Sequence, residues 1–228
     1  MAKNLMEFIG TFVLLASIVL STVEPGAAEF APFAIGLALA AMIYAGAHVS
    51  GAHYNPAVTV SVKLNGSCET AEVLPFIFNQ VLGGICGAFT AVWLKSNAVI
   101  ETLSVSLPHA IAAEFIFTLL LAFVILHVGF AKATKGNAYF GLAIAAVVVF
   151  GIIAVGAISG ALFNPAVTVA LFAIGIVPMN LLVPYIAIQM VAGACATALF
   201  KLTNPAESSA FQNTEQPASN LKRIRVNS

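Results

Sequence analysis

The chain has 228 residues and a formal net charge of zero, with 61% apolar residues and only 8% charged ones, against roughly a quarter charged in a soluble domain. So few charges cannot clothe a water-facing surface, and the balanced sum offers no hold on nucleic acid. There is no Asp, no grouping of metal ligands and no nucleophile beside a placed base, so enzyme chemistry, a metal and a cofactor are not expected.

The chain opens on Lys3 and runs directly into an apolar stretch, Leu5–Val23, that carries Glu7. This stretch lacks a signal-peptide cleavage pattern and reads as a retained first span. A second span is predicted over Phe33–Ala47, with His48 at its end. The sequence SGAHYNPAVTV follows from Ser50, and its Asn55-Pro56-Ala57 opens a short apolar segment that fades near Asn65. About ten residues make ~15 Å of helix, half of a hydrocarbon core ~30 Å thick. Further spans are predicted over Val73–Leu94, Ile111–Phe130 and Tyr139–Ile158, the fourth span carrying Glu114. SGALFNPAVTV then begins at Ser159, with Asn164-Pro165-Ala166 heading a second half-length segment that ends near Gly175. The sixth span covers Val177–Phe200. No charged residue falls between Lys135 and Lys201, a stretch long enough for more than two crossings at roughly 20 residues each.

Residues 202–228 are polar and read as a flexible cytoplasmic tail. A third Asn-Pro-Ala, Asn204-Pro205-Ala206, runs into Glu207-Ser208-Ser209, opens no apolar segment and reads as a turn. Cys68, Cys86 and Cys195 are widely spaced and odd in number, which suits small apolar filler better than a disulfide framework or a metal site. With six spans both termini share a side. That side collects Lys3, Lys63, Lys132, Lys135, Lys201, Lys222, Arg223 and Arg225, and the other holds only Lys95. The bias places both termini in the cytoplasm, and the expected location is a bacterial inner membrane.

The halves repeat. Glu7-Phe8-Ile9 with Thr11 recurs as Glu114-Phe115-Ile116 with Thr118; the eleven-residue stretches differ only at His53/Leu162 and Tyr54/Phe163; Pro75, Gln80, Gly84 and Cys86 recur as Pro184, Gln189, Gly193 and Cys195. The predicted fold is an all-α membrane protein of six transmembrane helices and two re-entrant half-helices. Residues 1–201 form one unit, with repeats over about 1–100 and 108–201. Three spans per half is an odd number, so the second repeat is inverted and a site is expected at the shared midplane.

Each half-helix begins with a complete start signal. Asn is a favoured N-cap, and proline fits the first helical position, where its missing N–H would have no partner. Two helix N-termini, each with about half a positive charge, would face each other at the midplane. A neutral solute gains hydrogen bonds there, and a cation is opposed. Six spans, inverted repeats, two NPA half-helices and E-F-I-x-T in spans one and four resemble the aquaporin and aquaglyceroporin (major intrinsic protein) family over nearly the whole chain to about Phe200. The resemblance implies an hourglass fold, a pore in each subunit, a homotetramer in the lipid bilayer, and Glu7 and Glu114 supporting the loops before the half-helices. The bare alternative for Glu7 is an interfacial carboxylate near its helix end.

One departure from the family matters. Most members carry an arginine directly after the second NPA, where this chain has Val167, and its only arginines are Arg223 and Arg225. The other filter positions of the family fall on Ile35, Ile152 and Ala161. A filter of Ile35, Ile152, Ala161 and Val167 lacks side-chain donors and a fixed charge, so it is expected to be wide and permissive for glycerol, urea or neutral metalloid acids such as arsenite as well as water. His53 and His48 are candidates for pore-lining or gating, or are satisfied by local backbone. His127 is expected to line the inner vestibule or to snorkel, and Gln80 and Gln189 to brace the bundle. An inverted-repeat secondary transporter and a water-selective channel are the competing readings.

Overall fold

The computed structural model describes residues 1–205. Six of its helices are long and apolar enough to cross a membrane, with no strand among the described residues. In chain order the α-helices are α1 (Ala2–Thr22), α2 (Ala31–Ser50), α3 (Pro56–Leu64), α4 (Thr70–Leu94), α5 (Leu107–Ile125), α6 (Phe140–Ser159), α7 (Pro165–Ala173) and α8 (Met179–Thr203), of which all but α3 and α7 are the long ones. The half-length helices α3 and α7 have 9 residues each, too short to span at 1.5 Å per residue. A π-helical turn, Leu126–Phe130, continues α5 to the membrane face that carries the termini.

Several spans reach further than expected. α2 continues through His48 and Ser50 and stops only at Gly51, whose φ is +93°. α6 likewise ends at Gly160, with φ +83°. The left-handed glycine, not the first polar side chain, terminates each helix, as in a common C-terminal cap. α8 passes Lys201 into the stretch expected as tail and closes at Asn204, whose N–H donates to the carbonyl of Phe200. Asn204 thus closes α8. Ala206 and the remainder of the tail, with Lys222, Arg223 and Arg225, lie outside the described residues.

The packing repeats as the sequence does. α1 lies against α4 and α2, and α5 lies against α8 and α6 in the same way. The halves meet where α2 packs on α6, and each half-helix crosses into the other repeat, α3 onto α8 and α7 onto α4. Glycines permit the closest crossings. A Cβ on Gly87 would stand 2.2 Å from the carbonyl oxygen of Phe12, and one on Gly193 would stand 2.5 Å from that of Ala57. Small residues bring membrane helices into direct backbone contact, and dispersion between them replaces a hydrophobic force that lipid does not supply. Outside, Leu37, Leu74, Phe78, Phe89, Trp93, Phe150 and Ile153 are exposed, a surface suited to lipid.

Candidate functional site

Asn55 and Asn164 cap the two half-helices as their sequence dictates. Both have extended backbone, with φ of −157° and −155°, and each is followed by proline at the first helical position. Asn55 Oδ1 accepts from the N–H of Ala57 at 2.9 Å, and Asn164 Oδ1 from that of Ala166 at 2.9 Å. The amide nitrogens reach across the repeats. Asn55 Nδ2 donates to the carbonyl of Phe163 at 3.0 Å, and Asn164 Nδ2 donates to that of Tyr54 at 2.9 Å. Each half-helix is thus tied to the loop that precedes the other. One N–H of each amide is used, and the second finds no protein acceptor among the described residues.

The loops leading into α3 and α7 are strained. Ala52, Tyr54, Ala161 and Phe163 have φ of 53°, 50°, 54° and 51°, a left-handed conformation costing ~1–3 kcal/mol for a residue with a Cβ. Two buried carboxylates hold it in place. Glu7 Oε1 accepts from Ser50 Oγ at 2.6 Å and the N–H of His53 at 3.0 Å, and its Oε2 accepts from the N–H of Tyr54 at 2.7 Å and Gln80 Nε2 at 2.7 Å. Glu114 repeats the pattern with Ser159 at 2.8 Å, Leu162 at 2.9 Å, Phe163 at 2.7 Å and Gln189 at 2.8 Å. Four donors fill the acceptor capacity of a carboxylate, so a group otherwise costly inside a membrane is fully paired. Glu7 is 0% exposed, which removes the interfacial alternative. With their N–H groups on the carboxylates, these loops keep the carbonyls of Gly51, Ala52, His53, Gly160, Ala161 and Leu162 without a protein donor among the described residues.

These loops line a cavity of about 700 Å³, together with both capping Asn residues. It extends to Lys132, Lys135 and Asn137 at the face carrying the termini, and to Leu103 and Ile176 at the opposite face. Ile35, Ile152, Ala161 and Val167, the four residues expected as a filter, all line it. Their side chains contribute no hydrogen-bonding group there.

The histidines part company. His53 lines the cavity, with Nδ1 3.2 Å from Thr59 Oγ1 and its ring edge-on to Phe76. His48 sits exposed on the last turn of α2 and does not line the cavity. His127 neither lines the vestibule nor snorkels. Its Nδ1 lies 2.9 Å from the carbonyl of Phe123, its Nε2 lies 3.0 Å from Asn204 Nδ2, and its ring packs between Phe123 and Phe200. It lies within the π-turn and against the end of α8, while Val128, Gly129 and Phe130 of the same turn line the cavity.

Sequence reasoning overlooked Thr59 and Thr168. Their hydroxyls donate to the carbonyls of Asn55 and Asn164 at 3.1 and 3.0 Å and also meet Gln80 and Gln189. The repeated Val-Thr-Val was the signal available. Tyr54 was also missed: it packs where Gly10 and Gly46 leave room, with its hydroxyl on the carbonyl of Met42 at 2.9 Å.

An inverted pair of three-helix repeats clasped through two capping half-helices, around a cavity running between the membrane faces, defines a channel-type integral membrane protein. The family model for "Major intrinsic protein" matches residues 1–137 and again 101–226. Aquaporin NIP1-1 of Zea mays is 31% identical over 215 residues, covering 89% of this chain and 76% of the maize protein. Aquaporin Z of Photorhabdus laumondii is 31% identical over 170 residues, covering 64% of this chain and 74% of the relative. Aquaporin NIP1-2 of Arabidopsis thaliana is 32% identical over 180 residues, covering 72% of this chain and 61% of its own length. The X-ray structure of the aquaglyceroporin from Plasmodium falciparum superposes with a TM-score of 0.69 at 22% identity, covering 91% of this chain and 98% of that one, which is a likeness of fold. The chain belongs to the major intrinsic protein family, whose members are passive channels for water and small solutes.

Proposed function

We propose that this chain is a passive channel for water and small neutral solutes, glycerol, urea and neutral metalloid acids such as arsenite among them, with Ile35, Ile152, Ala161 and Val167 as its selectivity filter. The observation that carries this reading is the apolar lining at those positions, one step from two capped helix N-termini on the same cavity. A solute entering past Ile35 and Val167 meets carbonyls on one side and aliphatic carbon on the other. Shedding water there is poorly compensated for very polar solutes, because an unpaired polar group costs ~1–3 kcal/mol in protein surroundings. Weakly hydrated or partly apolar molecules lose less. At the centre the free amide N–H groups of Asn55 and Asn164 serve solute oxygens. The two helix dipoles, about half a charge each, oppose cations.

The channel unit is residues 1–201, built from repeats over about 1–100 and 108–201, with 202–228 as a polar tail. By the distribution of basic residues, both termini are cytoplasmic, and a bacterial inner membrane and a homotetramer fit the same reading. Glu7 and Glu114 act as loop supports. His53 is the histidine with a place on the pore wall, whereas His48 has none.

The test is stopped-flow light scattering on proteoliposomes with water, glycerol, urea and arsenite. The expected result is flux that rises linearly with each solute gradient and is indifferent to imposed proton or sodium gradients. Uptake driven by either ion gradient supports a transporter instead, and water flux without solute flux supports a water-selective channel.

A further inference from the structure

The two loops before the half-helices offer the cavity different side chains. His53 is 7% exposed and lines the cavity, where the second loop carries Leu162 at the matching position. The imidazole Nδ1 lies 3.2 Å from Thr59 Oγ1. Nε2 has no protein partner among the described residues and is not sealed from the cavity. In a neutral imidazole one nitrogen donates and the other accepts. The direction of the bond to Thr59 therefore decides what Nε2 presents to a solute.

The other partners of Thr59 fix that direction. Gln80 Nε2 donates to Glu7 Oε2 at 2.7 Å and to Thr59 Oγ1 at 2.9 Å. Exchanging the two amide atoms would set Gln80 Oε1 against the carboxylate. The amide keeps its orientation even though Oε1 then has no partner among the described residues. Thr59 thus accepts from Gln80. Its own proton goes to the carbonyl of Asn55 at 3.1 Å, one turn back along the helix. Thr168 makes the same bond to Asn164 at 3.0 Å, where Leu162 replaces the histidine. A hydroxyl has one proton and two lone pairs. One lone pair is left for His53, whose Nδ1 then carries the hydrogen.

We infer that Thr59 is a positioning residue that holds His53 in its Nδ1–H form, so that Nε2 stands on the pore wall as an acceptor for solute N–H and O–H groups. The inference rests on the channel reading above. Glu7 contributes through Gln80, so the carboxylate that holds the loop also fixes the polarity of the ring. The second repeat has no such acceptor side chain, because Leu162 stands there. Urea, rich in N–H donors, gains most from an added acceptor. Glycerol hydroxyls both donate and accept, so glycerol loses less without it.

The full chain in lipid vesicles, with isotope-labelled histidine and at about pH 8, above the ordinary imidazole range, decides this. Solid-state NMR reads which nitrogen of His53 is protonated, the signals being assigned by their loss in His53→Leu. The parent and Thr59→Ser are expected to carry the proton on Nδ1, and Thr59→Val to move it to Nε2. Stopped-flow rates on the same vesicles should show the urea-to-glycerol ratio falling about threefold or more in Thr59→Val and in His53→Leu, as for one lost hydrogen bond. Thr59→Ser should keep the parent ratio. Looser packing alone would change both solutes alike and leave the ratio where it was. A parent spectrum with the proton on Nε2 overturns the inference without any variant. Thr59→Val with the Nδ1–H form retained, or either variant at the parent ratio, overturns it as well. If parent vesicles pass neither solute, the channel reading falls and the solute role of Nε2 with it, while the spectra still decide whether Thr59 holds the ring.

Discussion

Asn55 and Asn164 each do two things with one amide. The oxygen caps its own half-helix, and the nitrogen holds the loop before the other one. Replacing Asn164 by Ala removes a cap worth about 1 kcal/mol and also unpairs the carbonyl of Tyr54. The protein should melt several degrees lower in detergent, and Asn55→Ala should match it because the clasp is reciprocal. The carboxylates are less forgiving. Glu114→Gln keeps the shape but puts N–H where two donors already point, and a buried donor left unpaired costs ~1–3 kcal/mol. Glu114→Gln is expected to lower the melting temperature and reduce solute flux together, with the loops no longer held in their left-handed conformation. An unchanged melting temperature would show that the loop does not depend on this group. The capping Asn residues and the loop-bonded carboxylates were legible in the repeated motifs, and the positions proposed as the filter follow from the resemblance those motifs carry. Thr59, Thr168 and Tyr54 were not. Besides the local bonds of the two threonines, each meets a partner far along the chain, Gln80, Gln189 or the carbonyl of Met42, and a hydroxyl or ring in an apolar stretch does not announce which neighbour it meets.

At the scale of the helices, local rules and tertiary packing divide the work. α3 and α7 were readable because Asn-Pro-Ala followed by a short apolar run specifies both the start and the length. Span ends were not, since hydropathy falls at His48 and Ser50 while the helix runs on to a glycine that alone stops it. The π-turn after Ile125, in which His127 lies, left no periodic signal. Glycines test the packing directly. Gly87→Ala forces a methyl into the carbonyl of Phe12, and overpacking of this kind costs ~1–3 kcal/mol. Gly156→Ala on α6 meets nothing nearer than 4.0 Å, and removing glycine from a helix interior gains up to about 1 kcal/mol. Thermal melts of the two variants should move in opposite directions. A similar loss in both would mean that the α1–α4 crossing is not the tight contact described.

Across the whole molecule, the inverted repeat places two helix N-termini and a carbonyl-lined loop from each half on one cavity. That design is symmetric, and in the function proposed above the departures from symmetry carry the specificity. His53 faces Leu162 in the repeat comparison, and Val167 stands at the position where most family members have arginine. The fold needs neither. Two dipoles remain at the centre of the cavity without a cation at the filter, so proton flux under an imposed pH gradient should stay near that of empty vesicles while solute flux is high. A proton leak that scales with the amount of channel would show that the half-helices alone do not exclude ions.

The most direct measurement of the central claim is the glycerol permeability of proteoliposomes holding the parent chain or Val167→Arg, normalised to reconstituted protein. An arginine there fills the constriction and restores a fixed charge, so glycerol flux should fall by about tenfold or more, the equivalent of ~1.4 kcal/mol on the barrier, with water flux reduced far less. Equal glycerol permeability of the two proteins would contradict the account, because solutes would then be crossing somewhere other than between Ile35, Ile152, Ala161 and Val167.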